Sequence, residues 1–180
     1  MASKEFFGNT ELASLSGENA IEGYAALFNS PTESEFGVVT VIAPGAFDEA
    51  LKANDVIAFF NHDDSKVLGR LSAKTLSLSI DTKGLRYRIT PPHTGYAADL
   101  AENIKLGNIR GSSFGMWTGP DSKTKETTKD GLRTIERADL FDVSVVTMPR
   151  FPETDGLVHL SSKHDDTLAL RLRLRARGKR

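Results

Sequence analysis

Short apolar runs with a period of two dominate the body of this chain, and the elements they predict are mainly strands. IEGYAALF, FGVVTVIA and NDVIAFFNH are rich in β-branched and aromatic residues and are separated by turn clusters such as NSPTESE. The clearest unit is a hairpin. Leu76, Leu78 and Ile80 alternate with Thr75, Ser77 and Ser79, DTKG turns the chain, and Leu85, Tyr87 and Ile89 alternate with Arg86 and Arg88. Two stretches predict helix. PGAFDEALKAN follows a Pro-Gly break with acids near its start; in TGYAADLAENIKLGN, Tyr96, Leu100 and Ile104 fall four apart and Gly107 offers a stop. NIRGSSFGMW and a longer LRTIERADLFDVSVVTM predict further strands. The polar, charged TGPDSKTKETTKDG between them reads as a mobile surface loop. There is no internal repeat.

The same pattern divides the chain. Residues 1–19 show no sustained periodicity and predict a flexible N-terminal arm that joins the fold near Ala20. Residues 20–160 form the expected domain. In 161–180, TLALRLRLRARGKR alternates Leu or Ala with Arg, a pattern open to three readings: a strand, a basic helix on an acidic surface, or a disordered terminus.

Composition narrows the class. A 180-residue chain with 39% hydrophobic and 26% charged residues reads as one soluble mainly β domain able to bury roughly 70% of its unfolded surface. Without Cys, disulfides and thiolate zinc sites are excluded. The chain has no 18-residue apolar run, and its first 20 residues lack a signal-peptide pattern, so a cytoplasmic compartment and no membrane partner are expected. The net charge of -1 conceals an asymmetry: residues 1–160 hold 22 acidic and 16 basic side chains, whereas 161–180 hold 2 and 7. The basic tail is a candidate tether to an acidic partner or nucleic acid. The acidic body argues against a nucleic-acid-binding module, because it interleaves no basic patch with aromatics.

Without Cys, a nucleophile must be Ser, Thr or Lys. The candidate lies in Gly111-Ser112-Ser113-Phe114-Gly115. On a strand, Ser113 shares its face with two glycines, which leave its hydroxyl open to an approaching backbone, while Ser112 shares the other face with Phe114 and Met116. The five residues match G-x-S-x-G, yet Met116-Trp117-Thr118-Gly119-Pro120 cannot begin the helix that a nucleophile elbow requires. A bulged, Gly-bearing strand is the alternative. The candidate base is His62, in a polar cluster that emerges from the two-sided apolar run Val56 to Phe60, expected to be a central strand. A plain surface His in a turn is the alternative there. The adjacent spacing of Asn61, His62, Asp63 and Asp64 does not suit a metal. Asp142 sits on a strand face with Leu140, Ser144 and Val146, opposite Phe141, Val143 and Val145. A carboxylate among apolar groups needs a partner, either an imidazole, as in a Ser-His-acid triad, or an Arg such as Arg137. If the strands carrying Ser113 and Asp142 paired as a simple hairpin, Ser113 would face about Arg137, with Asp142 roughly 16 Å further along, so a triad requires either a bend near Ala138 or two segments that are not simple neighbours.

The chain resembles the tailed-phage prohead proteases, capsid-maturation serine proteases related in fold to herpesvirus assemblins. The residues that carry the resemblance are GYAALFN, IAPGAFDEAL, FNHD, LGR with the following hairpin, GLRY, the helix before GNIRGSSFGM, and ADLFDVSVVTMPRFPET, roughly residues 20 to 155. It implies an α+β fold, mainly β: a partly closed antiparallel β-barrel flanked by a few helices. It also implies a serine endopeptidase without cofactor or metal, with catalytic His62, Ser113 and Asp142. The family usually has Glu at the third position, so the shorter Asp142 must approach its His more closely. The implied substrates are viral capsid and scaffold proteins and the protease itself, inside a procapsid in the host cytoplasm. The tail is then a candidate packaging or self-cleaved segment, and a homodimer is what the herpesvirus relatives suggest. The competing reading is a non-catalytic β-barrel that binds capsid or scaffold.

Overall fold

A computed structural model describes residues 1–9, 14–16, 20–33 and 38–148; the expected basic tail, 161–180, lies outside them. In chain order these form β1 (Ser3–Asn9), β2 (Ser14–Ser16), β3 (Ala20–Leu27), β4 (Thr32–Glu33), β5 (Val39–Ile42), α1 (Asp48–Ala53), β6 (Ile57–Phe60) and β7 (Asp63–Arg70). They continue with β8 (Leu76–Ile80), β9 (Gly84–Ile89), α2 (Gly95–Lys105), β10 (Gly111–Thr118), β11 (Lys125–Lys129), β12 (Leu132–Arg137) and β13 (Asp139–Val146). The architecture is mainly β with two helices, as the periodicity predicts. The period-two hairpin is β8–β9, in the register Leu76 to Ile89 and Ile80 to Leu85. The second helix ends before Gly107, whose φ of +73° is the left-handed conformation that terminates helices.

Three separate sheets result, with strand orders β1-β10-β13-β6-β7, β11-β12-β5-β4 and β2-β3-β9-β8. None of them closes on itself among the described residues, so the expected partly closed barrel is not shown, although a parallel bridge between Phe28 and Ile42 joins the end of β3 to β5. Nor are they wholly antiparallel, since β12 runs parallel to β5 and β13 parallel to β6. The segment expected as one long strand breaks at Ala138 into β12 and β13, where the Ala138 amide donates to the Ala46 carbonyl at 2.8 Å and the chain passes from one sheet to another. Apart from the backbone bridge at Phe28 and Ile42, the sheets meet through side chains. Ile21, Leu85, Tyr87 and Ile89 from one pack into a common core with Phe114, Met116 and Leu140 from another, closed by Leu100 and Ile104 of α2.

Two polar links cross this core. Tyr87 of β9 meets the Ser112 hydroxyl of β10 at 2.7 Å, both groups buried. Arg133 of β12 reaches β1 and donates two bonds to the Glu5 carboxylate, at 2.5 and 2.8 Å, with Glu126 as a second partner. Burial works against the guanidinium charge, but Glu5 and Glu126 outweigh it and hold Arg133 protonated more firmly than usual. Ser3–Asn9, assigned by the sequence to a flexible arm, are thus a seven-residue strand paired with β10 from Ser112 to Thr118. Lys125–Lys129, expected within a mobile loop, pair with β12. Among the described residues no helix is long and apolar enough to cross a membrane.

Candidate active site

His62 is presented by a two-residue turn. Phe60 pairs with Asp63 at the mouth of the β6–β7 hairpin, and both intervening residues, Asn61 and His62, have φ of +56°. That is the φ pattern of a type I′ turn, and Asn and His are among the non-glycine residues that best tolerate it. The turn is tied down on both sides. The Asn61 amide donates to the Val145 carbonyl at 2.9 Å, and its side-chain oxygen accepts from the Thr147 amide at 2.9 Å. Asp63 closes the turn through the Ser65 hydroxyl, the Lys66 ammonium and the Ser65 amide, which together bring its carboxyl down to about 2.

Ser113 lies in the middle of β10, opposite Gly8 of β1 on one side and Ser144 of β13 on the other. Gly115 on the same face pairs with Asp142. Because side chains two apart on a strand share a face, this register gathers Ser113, Ser144 and Asp142 beneath the turn that carries His62. His62 Nε2 is 2.7 Å from Ser113 Oγ, and Nδ1 is 3.0 Å from both Asp142 carboxylate oxygens. Asp142 is only 1% exposed; beyond His62 it accepts a bond from Ser144 Oγ at 3.1 Å. A buried carboxylate so partnered holds Nδ1–H and leaves Nε2 as the acceptor facing Ser113.

The structure thus brings together all three candidates. Arg137, the other partner weighed for Asp142, points elsewhere and donates to the Lys123 carbonyl. The simple hairpin register fails because β11 and β12 occupy a different sheet, so Ser113 faces Ser144 rather than Arg137. One face assignment is also exchanged. The register shifts between Gly115 and Met116, leaving Phe141 as the extra residue on β13. Leu140 turns into the core, while Phe141 moves beside Phe6 and Trp117.

Gly115 leaves the space that these groups fill. A Cβ there would stand 2.7 Å from Asp142 Oδ2, 2.7 Å from Phe141 Cζ and 3.0 Å from Phe6 Cε1. The second glycine of the G-x-S-x-G match therefore admits the acid and two rings, and β10 runs on as strand rather than turning into a helix. Sequence reasoning missed Ser144, although its i, i+2 spacing from Asp142 on one strand face was a usable signal. It also missed β1, which lays the Phe6 ring against His62 with centroids 4.3 Å apart and sets the Phe7 carbonyl oxygen 2.7 Å from Ser113 Oγ. Among the described residues no three His, Asp or Glu side chains converge as metal ligands would.

No curated protein was found to match the chain. Among solved structures, the bacteriophage T4 capsid assembly protease gp21 superposes with a TM-score of 0.50 and 15% sequence identity, covering 81% of this chain and 97% of that one. At that identity the likeness speaks to the fold. The sequence itself matches the profile of the caudovirus prohead serine proteases over residues 9–168, nearly the whole length and including all three site residues, and the chain belongs to that family.

Proposed function

We propose that this protein is a serine endopeptidase working through an acyl-enzyme, with Ser113 as nucleophile, His62 as general base and acid, and Asp142 as the group that orients His62. The observation that carries the reading is the unbroken contact from Asp142 through His62 to Ser113 Oγ, with the last step at 2.7 Å. His62 Nε2 takes the hydroxyl proton as Ser113 Oγ attacks the scissile carbonyl carbon. Collapse of the tetrahedral species expels the amine, which receives that proton from Nε2–H. Water then enters by the same base and frees the acid product and the serine. Throughout, Asp142 accepts the Nδ1–H bond and offsets the imidazolium charge, while the Ser144 hydroxyl supports the buried carboxylate. The shorter side chain in place of the family's usual Glu is accommodated by Gly115, whose missing Cβ leaves room for the carboxylate.

Family membership supports a role in procapsid maturation, and the substrates we propose are scaffold protein, the scaffolding segment of the capsid protein, and this chain itself, acting inside the procapsid in the host cytoplasm. The test is intact mass over time for the wild type and Ser113→Ala, alone and with the capsid and scaffold proteins from the same source, in solution and in assembled particles. Truncation with the wild type is expected, and loss of Ser113 lowers its rate by about 10⁴-fold or more. Equal cleavage by both proteins would remove Ser113 as nucleophile. Intact substrates in both, particles included, would favour the non-catalytic binder.

A further inference from the structure

Two demands on Asp142 are left over once its bond to His62 is counted. Both carboxylate oxygens lie 3.0 Å from His62 Nδ1, and that nitrogen has one proton to give. A bond shared between two oxygens does not choose between them, and χ2 of an aspartate is a broad torsion that sets no plane of its own. The carboxylate is also 1% exposed, where an ionised group needs donors beyond a single N–H. Among the described residues no Lys or Arg comes to it; its ion-pair partner is His62. Ser144 answers both demands. Its hydroxyl donates to Oδ1 at 3.1 Å, which leaves Oδ2 as the better acceptor for Nδ1–H. The donor is itself fixed in place. Ser144 is fully buried in β13, paired with Ser113 of β10 on one side and with Phe59 of β6 on the other. His62, by contrast, stands on a two-residue turn.

Taking Ser113, His62 and Asp142 in the roles proposed above, we infer that Ser144 is a positioning residue for this reaction, acting through Asp142. It holds the carboxylate plane so that Nδ1–H meets one oxygen and Nε2 stays aimed at Ser113 Oγ. One strand register then serves both ends of the relay: β10 against β13 places Ser113 directly and sets the acid through Ser144. The contribution falls on the chemical step. The charge that Asp142 offsets appears on His62 only as the Ser113 proton is taken, so a carboxylate out of plane weakens the transition state and leaves ground-state binding as it was. Ser144, with no exposed surface, does not meet the substrate.

The probe is a fluorophosphonate, which adds to an activated serine. Labelling of Ser113 is read by peptide mass in the full chain, and varying the probe concentration separates the limiting rate of addition from the half-saturating concentration. Ser144→Ala is expected to lower the limiting rate by about tenfold to 10²-fold, the scale of a catalytic group displaced by about 1 Å, with the half-saturating concentration unchanged. Ser144→Thr keeps the hydroxyl and should recover most of the rate. A cycle with Asp142→Ala shows the route of the effect: if Ser144 acts through Asp142, adding Ser144→Ala to Asp142→Ala slows labelling no further. Should Ser144→Ala fold poorly, Ser144→Cys, close in size and only a weak donor, takes its place in both comparisons. A wild-type rate in Ser144→Ala, no recovery in Ser144→Thr, or losses that multiply in the double variant would overturn the positioning role and leave the nucleophile standing. No label on Ser113 in the wild type would remove the nucleophile and this proposal with it.

Discussion

Gly115 has a steric rather than a conformational role: it marks the point where Asp142, Phe141 and Phe6 converge on one spot above β10. Of the groups a methyl would meet there, the two rings can tilt away, but the carboxylate is held by His62 and Ser144. Gly115→Ala is therefore expected to move Asp142 and turn His62 off Ser113 Oγ while the core stays packed. Misplacement of a catalytic group by about 1 Å costs on the order of 10²-fold in rate. The check is kcat for peptide cleavage beside a thermal melt: a large drop in kcat with a small change in Tm is the expected pair, and unchanged kcat would show that the carboxylate does not orient the base. The three candidate residues each stood out locally, Ser113 between glycines, His62 at the end of an apolar run, and Asp142 on a mostly apolar strand face, but each had a structural alternative, and it was the family resemblance that joined them into one site. Their partners gave no such sign. Ser144 reads as one more polar residue until the β10–β13 register sets it opposite Ser113.

At the level of elements, the β6–β7 turn decides where His62 stands, and it uses two residues with positive φ to do so. Asn61→Ala removes the acceptor for Thr147 and puts a residue intolerant of φ +56° in the turn. Strain of roughly 1 to 2 kcal/mol and a lost bond worth about 1 kcal/mol should lower stability by about 2 to 3 kcal/mol. Urea unfolding tests this, and Asn61→Gly, which keeps the φ but loses the bond, should cost less than Asn61→Ala. Elements with a strong period were readable. Leu76–Ile80 and Gly84–Ile89 alternate cleanly across a turn, and Leu100 and Ile104 mark the inner face of α2. Lys125–Lys129 carries no apolar alternation because all five residues are exposed, so only pairing to β12 makes it a strand. β1 escaped for the opposite reason. Phe6 and Phe7 are both apolar but serve different faces, one the site and one the core, and two adjacent aromatics show no period.

For the whole molecule, buried polar contacts set how the three sheets respond to conditions. Burial at the β9–β10 contact pushes the Tyr87 phenol well above its ordinary value of 10.0, only partly offset by its bond to Ser112. The folded protein then keeps a proton that the unfolded chain gives up. Its contribution is intact below 10.0 and is lost progressively as pH climbs past that value toward the higher folded one. Tyr87→Phe should flatten this alkaline decline in urea midpoints, while at neutral pH it leaves the Ser112 hydroxyl without its partner and costs about 1 to 3 kcal/mol. A decline equally steep in both proteins would place the alkaline sensitivity elsewhere. The break at Ala138 was half legible: the distance between Ser113 and Asp142 in a simple hairpin required either a bend near Ala138 or strands that are not neighbours, and β12 and β13 lie in different sheets.

The position of β1 also bears on how this protein lives among copies of itself. Gly111–Thr118 carries no charged residue, and its backbone would form an uncharged ladder open to any extended chain. Such bare edges seed aggregation, and proteins commonly blunt them with short, charged strands. β1 does so: it is seven residues long, it sets Lys4 over the Trp117 and Phe141 rings, and its Glu5 is tied to Arg133. The segment that covers the serine thus also pairs the edge that would otherwise stand open on β10.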